Sequence, residues 1–340
     1  MALHRKDRGA RVVGVDDARR PEHLPADRHP RRDHLMTART AIVTGAAQGI
    51  GKAEAERLVA SGRRVVLADI DADLLADTVQ ELGGTEHAVG IVGDISSPGT
   101  ADELIKAATA DGAVLDTVVN NAAALRTGMV FDITDNDWDT VLSVTLSGTF
   151  RLSRAAAQHW RENPSDGRKN LILTTSRAAL LGNPGQTAYA AAKAGVVVMA
   201  QTLARELKPF DVQVNAIAPR AYTKMMRDGV GEFAASALEE WSPKHIGRFI
   251  EFLCSPAASG ITGQIFIVHG PRAQLVRTFE VMEPVEFDFA AGSPADLEAS
   301  VDLLFTADPR AIADFMVDDL PLADRTGASP FAVSPATASS

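Results

Sequence analysis

Tyr189 and Lys193 stand four residues apart beside a run, Ala190–Leu207, that reads as a helix. An i, i+4 pair lies on one helical face, so a phenol and an ammonium can approach each other. Ser176 lies 13 residues upstream, at the end of a strand-like run. These types suit removal of a hydroxyl proton as a hydride departs, and the same steps in reverse. A free phenol titrates near about 10 and is a weak base at neutral pH, but a nearby ammonium stabilises the phenolate and draws that value down. The expected roles are Tyr189 as general acid/base, Lys193 as its electrostatic modulator and Ser176 as the group that orients the reacting oxygen. The bland alternative is a surface Tyr, a solvated Lys and a strand-end Ser. A second motif in the same chain argues against it.

That motif is Thr44-Gly45-Ala46-Ala47-Gln48-Gly49-Ile50-Gly51, after a β-rich run and before a helical one. Glycines let the backbone turn tightly and approach a pyrophosphate, and the following helix aims free N–H groups and its dipole at the anion. A second β-rich run ends at Asp69, 18 residues after Gly51. An acid there accepts hydrogen bonds from ribose hydroxyls and repels a 2′-phosphate, which favours NAD over NADP.

The elements that must position these residues follow from the hydrophobic pattern. Strands are expected at Ala41–Val43, Arg64–Ala68, Ala88–Val92, Thr117–Asn120, Leu171–Thr175, Val212–Ala216 and Ile265–Val268. Helices are expected between them, at Ile50–Ala60, Asp73–Leu82, Gly99–Ala110, Asn136–Trp160, Ala190–Leu207 and Lys244–Leu253. Continuous Val/Ile/Leu strands alternating with helices imply a parallel sheet covered on both faces. The expected fold is a single doubly wound Rossmann domain, three layers α/β/α, over residues 37–270. Residues 1–36 read as a disordered basic arm, 271–325 as an acidic, partly helical extension and 326–340 as a disordered tail.

In this context the chain resembles the short-chain dehydrogenase/reductase family, over about residues 38–270. The glycine spacing is G-x3-G-x-G, and Asn120-Asn121-Ala122-Ala123 resembles the family's Asn-Asn-Ala-Gly after the fourth strand. Ser176, Tyr189 and Lys193 match its catalytic Ser, Tyr and Lys. Ile261-Thr262-Gly263-Gln264 matches the approach to its last strand. The resemblance implies NAD contacts at Gly45, Gln48, Gly49, Ile50, Gly51, Asp69, Ile70, Asp94, Ile95, Asn121, Ala122, Ala123, Tyr189, Lys193, Pro219, Tyr222 and Thr223. It implies that Lys193 also binds the nicotinamide ribose, and that the protein is a homodimer or homotetramer.

Three positions depart from the pattern. Thr145 occupies the place of a catalytic Asn, and a hydroxyl does not copy an amide's donor and acceptor geometry. Ala123 replaces a Gly. Arg220 follows Pro219 where Gly is usual, and Thr223 comes one residue early. The Pro-Arg pair and acidic tail resemble, more loosely, a branch holding 3-hydroxyacyl-CoA and hydroxysteroid dehydrogenases. The substrate is expected at Leu125, Arg126, Arg177, Leu181, Asn183, Gln186, Tyr222 and Met225, with Met225–Trp241 as an apolar lid.

Composition sets outer limits. The 340 residues carry Lys+Arg 34 and Asp+Glu 44, a net charge of −10. Residues 1–36 hold nine basic and six acidic side chains, and 271–340 hold four basic and twelve acidic, so −8 lies in the last segment. An acidic chain is a poor generic binder of nucleic acid or anionic lipid. Cys254 is alone, so there is neither an internal disulfide nor a Cys-based zinc site. No apolar run approaches the ~18 residues of a membrane span, and the N-terminus lacks an apolar signal core. The expected address is the cytoplasm, and the expected activity is NAD-dependent interconversion of a secondary alcohol and a ketone on a medium-sized, mostly apolar substrate. Epimerisation or dehydration through a transient ketone, and a dinucleotide sensor without turnover, are the alternatives.

Overall fold

In a computed structural model, residues 38–164, 167–224 and 238–277 are described. Their strands are β1 (Arg39–Thr44), β2 (Arg64–Asp69), β3 (Ala88–Val92), β4 (Val114–Asn120), β5 (Lys169–Thr174), β6 (Val212–Arg220), β7 (Ile265–His269) and β8 (Arg272–Val276). They form one sheet in the order β3-β2-β1-β4-β5-β6-β7-β8. Every pair is parallel except β7 with β8, which is antiparallel. The seven expected strands are all present. The eighth begins inside what the sequence reads as an extension: its residues alternate exposed and half-buried, so no buried apolar run announces it.

The helices are α1 (Gly49–Ala60), α2 (Ala72–Glu81), α3 (Thr100–Ala108), α4 (Asp135–Val141), α5 (Thr149–Glu162), α6 (Ala178–Leu181), α7 (Thr187–Glu206) and α8 (Lys244–Leu253). Successive strand residues point to opposite faces. Ile42 and Leu171 accordingly pack with Leu104, Leu152, Trp160 and Val196 from α3, α5 and α7. Their neighbours Val43 and Ile172 pack with Leu58, Leu75 and Ile250 from α1, α2 and α8. Two apolar cores on either side of one sheet are the three layers. On the second face α1 and α8 meet closely: a Cβ on Gly247 would lie 2.3 Å from the Ala53 carbonyl oxygen.

The helix expected over Asn136–Trp160 is not uniform. Between α4 and α5, Leu142–Gly148 form a π-helical turn, and Thr145 lies in it, fully buried. Such widened turns recur at functional sites. The arm 1–36, residues 225–237 of the expected lid and the helices expected past residue 277 lie outside the described residues.

Candidate active site

β1 and β4 are neighbours in the sheet, but their connections run to opposite sides, so a crevice opens beyond their carboxyl ends. The glycine turn fills one wall. Gly45 and Gly49 have φ of 64° and 61°, the left-handed region that glycine enters at little cost. A Cβ on Gly51 would lie 2.2 Å from the Gly45 carbonyl oxygen. Gln48, which precedes α1, makes no side-chain cap, so the first N–H groups of α1 remain for an anion. The Asp69 carboxylate accepts from Ala47 N at 3.0 Å and Asp71 N at 3.2 Å. The Ala47 carbonyl accepts from Thr78 Oγ1 at 2.8 Å, which fixes the turn from α2. Asn121 Nδ2 donates to the Thr44 and Gly45 carbonyls at 3.0 and 3.1 Å, and Ala122 N donates to Thr44 Oγ1 at 3.1 Å. Asp94 accepts from Ser96 N at 2.7 Å. Ile95 is buried, while Ile70 is exposed at the mouth. Uncapped helix N-terminus, close-approach glycines and a backbone-held carboxylate together fit a dinucleotide.

The other wall comes from β5, β6 and α7. Ser176 Oγ accepts from Ala178 N at 3.2 Å, and the Ser176 side chain lies close enough to the Tyr189 phenol to favour its ionised form. Lys193 Nζ is buried, donates to the Thr174 carbonyl at 2.6 Å and lies 5.7 Å from the Tyr189 ring centre. Thr175 Oγ1 donates to the Lys193 carbonyl at 2.8 Å and so ties α7 to the end of β5. Burial pushes Tyr189 up to about 12, against the opposing Ser176 hydrogen bond. Burial likewise pushes Lys193 down to about 7, opposed by the Glu54 carboxylate. Desolvation is thus the largest influence on both groups, raising the phenol and lowering the ammonium.

Residues 45–270 match the family profile described as enoyl-(acyl carrier protein) reductase. The chain belongs to the short-chain dehydrogenase/reductase family. A hydroxyacyl-CoA dehydrogenase, ChsB1, of Mycobacterium tuberculosis is 39% identical over an alignment of 292 residues that covers 81% of this chain and 92% of that protein. A 3-oxoacyl-[acyl-carrier-protein] reductase of Synechocystis is 35% identical over 69% of this chain and 97% of its own length. The crystal structure of a short chain dehydrogenase from Mycobacterium avium superposes with a TM-score of 0.70 at 32% identity, covering 80% of this chain and 96% of that one. The protein is thus an oxidoreductase of this family, whose cofactor is a nicotinamide dinucleotide. No helix among the described residues is long and apolar enough to cross a membrane.

The positions at which this short-chain dehydrogenase/reductase departs from its family's pattern have structural answers. Thr145 Oγ1 accepts from Ala124 N at 3.1 Å and donates to the Ala124 carbonyl at 3.3 Å, so one hydroxyl clasps a single residue of the loop after β4. The Thr145 carbonyl accepts from Thr149 Oγ1 at 2.7 Å. Ala123 is half-buried in the same loop. Arg220 is buried, with its guanidinium carbon 4.7 Å from the Trp241 ring centre, and Trp241 meets His269 edge-on at 4.5 Å. Beyond the half-buried Pro219, Tyr222 N donates to the Trp241 carbonyl at 2.7 Å. Thr223 reaches the glycine turn: a Cβ on Gly49 would lie 3.5 Å from its methyl.

On the substrate side the structure sorts the expected residues. Arg126 is exposed, donates to the Leu125 carbonyl at 2.9 Å and pairs with Asp137 at 3.6 Å, so its charge is engaged within the chain. Arg177 is different: its Nη1 is buried and has no hydrogen-bond partner. Asn183 Oδ1 is in the same condition. Gln186 pairs with Gly128 in an isolated bridge and brings the loop before α7 against the loop after β4. Leu181 is half-buried at the end of α6, and Met225 lies outside the described residues. Sequence reasoning missed Trp241 as the partner of Arg220 and His269, since nothing in spacing links 220, 241 and 269. It also missed Glu54, for which a signal existed: an acid on the inner face of α1 between Gly51 and Leu58.

Proposed function

We propose that the protein interconverts a secondary alcohol and a ketone with NAD(H), on a 3-hydroxyacyl thioester or a comparable apolar hydroxy substrate. The observation that carries this reading is the buried Lys193 ammonium, anchored on the Thr174 carbonyl and 5.7 Å from the Tyr189 ring centre, with the Ser176 side chain close enough to act on the phenol. When bound, the dinucleotide accepts a hydride in oxidation and returns it in reduction. The chain's own residues manage the proton and the geometry. In oxidation Tyr189 Oη takes the hydroxyl proton of the substrate. Ser176 hydrogen-bonds the same oxygen and fixes it. Lys193, charged, supports the phenolate that the transfer requires. In reduction Tyr189 returns the proton.

Asp69 favours NAD, because a carboxylate already held by Ala47 N and Asp71 N cannot swing away from a 2′-phosphate. The relative named as a hydroxyacyl-CoA dehydrogenase favours a thioester substrate. The unpartnered Arg177 Nη1 and Asn183 Oδ1 are polar groups available to its head. Phe150 on α5 and Val198 on α7 are exposed apolar side chains that suit a homodimer or homotetramer. The test is a panel of secondary alcohols, hydroxyacyl-CoA thioesters and hydroxysteroids with NAD, followed by NADH absorbance. A thioester among the substrates supports the reading. Turnover undiminished by Tyr189→Phe overturns the catalytic assignment.

A further inference from the structure

Arg177 carries a charge that the proton step described above does not use. It follows Ser176 directly and opens α6, where its carbonyl accepts from Leu180 N at 2.9 Å and Leu181 N at 3.0 Å. Its side chain is half-buried, and Nη1 is shielded from solvent without a hydrogen-bond partner. No carboxylate among the described residues pairs with its guanidinium, and burial lowers its pKa with no acid opposing. A guanidinium taken out of water without a counter-charge is costly, and an apolar side chain would fill such a position at less cost. The neighbouring cations differ in this respect. Leu180, one turn on, packs with Ala218 of β6 and Ile267 of β7. Two residues further along those strands, on the same face, stand Arg220 and His269, which are partners in register. Arg220 lies over the Trp241 ring at 4.7 Å, and Arg272 of β8, opposite His269, is bound to Glu240 at 2.8 Å. Arg177 has no such partner. Two neutral groups on the same rim also keep bonding capacity: Asn183, in the loop between α6 and α7, has a buried Oδ1 without a partner, and so do both ring nitrogens of His269. Burial, and after it the Arg220 charge, lowers His269 to about 4, so its ring is neutral and carries one N–H donor.

We propose that Arg177 is a specificity-determining residue that pairs with a carboxylate on the substrate, so that the preferred hydroxy or keto compound carries a carboxylate in addition to its reacting oxygen. The inference rests on the alcohol–ketone reading above and narrows its substrate class. Arg177 is joined to the residue that orients the reacting oxygen, so one molecule meets both. A guanidinium presents paired N–H donors in a fixed fork, which suits the two oxygens of a carboxylate. Glu240, a described acid on this rim, is already held by Arg272 and does not compete for the site. A thioester fits when its acyl chain ends in a second acid group.

The experiment compares kcat/KM with NAD for two CoA thioesters of a 3-hydroxy six-carbon acyl chain, one ending in a methyl group and the other in a carboxylate. The CoA portion is common to both, so its phosphates cancel. Wild type is expected to prefer the carboxylate-ended thioester by about 10- to 100-fold, and Arg177→Met to lose that preference. A merely structural role changes both rates alike and leaves the ratio where it was. Arg177→Lys, which keeps the charge without the fork, is expected to retain part of the preference. A wild-type preference for the methyl-ended thioester, or a ratio that Arg177→Met does not change, overturns the proposal. Where neither thioester is oxidised, a second readout needs no turnover: the melting temperature of the NADH-loaded protein with hexanedioate, against hexanoate as control. A rise with hexanedioate that Arg177→Met abolishes overturns the proposed function and leaves the carboxylate site standing. No rise in wild type overturns both.

Discussion

The two walls of the crevice are built on different terms. On the β1–β2–β4 side the groups proposed to meet a dinucleotide are already paired with one another: Asp69 with Ala47 N and Asp71 N, Asn121 with Thr44 and Gly45. On the β5–β7 side several buried polar atoms stand without a hydrogen bond, among them Arg177 Nη1, Asn183 Oδ1, Thr174 Oγ1 and both ring nitrogens of His269. Unpaired buried polar groups cost free energy that a well-packed protein avoids unless a ligand or ordered water completes them. One wall is preorganised for a cofactor of fixed shape. The other holds back its bonding capacity, and its ionisable groups carry displaced pKa values: about 12 at Tyr189, about 7 at Lys193 and about 4 at His269. On the proposed function, the first wall serves binding and the second wall chemistry.

That contrast can be broken by experiment. The largest effect is expected from Tyr189→Phe, which leaves the cofactor wall untouched: kcat should fall by about 10²- to 10⁴-fold while NADH affinity by fluorescence titration stays within about twofold. Loss of binding together with turnover would mean that the walls are not independent. Gly51→Ala strikes the cofactor wall, since the added Cβ meets backbone at 2.2 Å. NADH binding should weaken by at least about tenfold and the melting temperature should drop. Asp69→Asn retains the shape but removes the charge. The preference for NADH over NADPH should narrow by about tenfold, roughly 1.4 kcal/mol, with little change in stability. Equal affinity for the two cofactors in wild type would sink the assignment of Asp69. On stability rather than on cofactor binding, Thr145→Val strands Ala124 N and its carbonyl and should cost about 1–3 kcal/mol in chemical denaturation.

The contrast also explains what was legible in the sequence. The cofactor wall depends on local order, strand then turn then helix, and on glycines whose backbone requirements are visible in the residue type itself. Six of the seven parallel strands were readable because they are mostly buried, and the half-exposed edge strand β3 was readable from its Val/Ile content. Strand β8 was not: its pattern is half exposed, and the clue was instead the Gly270-Pro271 pair between His269 and Arg272, with Gly270 at φ 53° in a two-residue hairpin turn. On the other wall, Ser176, Tyr189 and Lys193 were recoverable from spacing. The displaced pKa values of Tyr189 and Lys193 were not, because desolvation depends on what the rest of the chain packs over them. Thr145 illustrates the same limit. Its type suggested a lost amide, whereas the widened helical turn places its hydroxyl where it both donates to and accepts from Ala124.

The hairpin at Gly270 has a consequence for the chain beyond it. Strands β1 to β7 deliver their last residues to the rim where the crevice opens, and β8 starts at that rim with Arg272 bound to Glu240 at 2.8 Å. It then runs the other way, so Val276 pairs with Ile265 at the far rim. Val276 thus ends the sheet at the rim opposite the crevice, about 14 Å from Arg272 at the rise of an extended strand. In sequence, the acidic C-terminal stretch follows directly on Arg277, one residue past Val276. Severing the chain after residue 277 is a direct measure of whether that stretch serves catalysis at all.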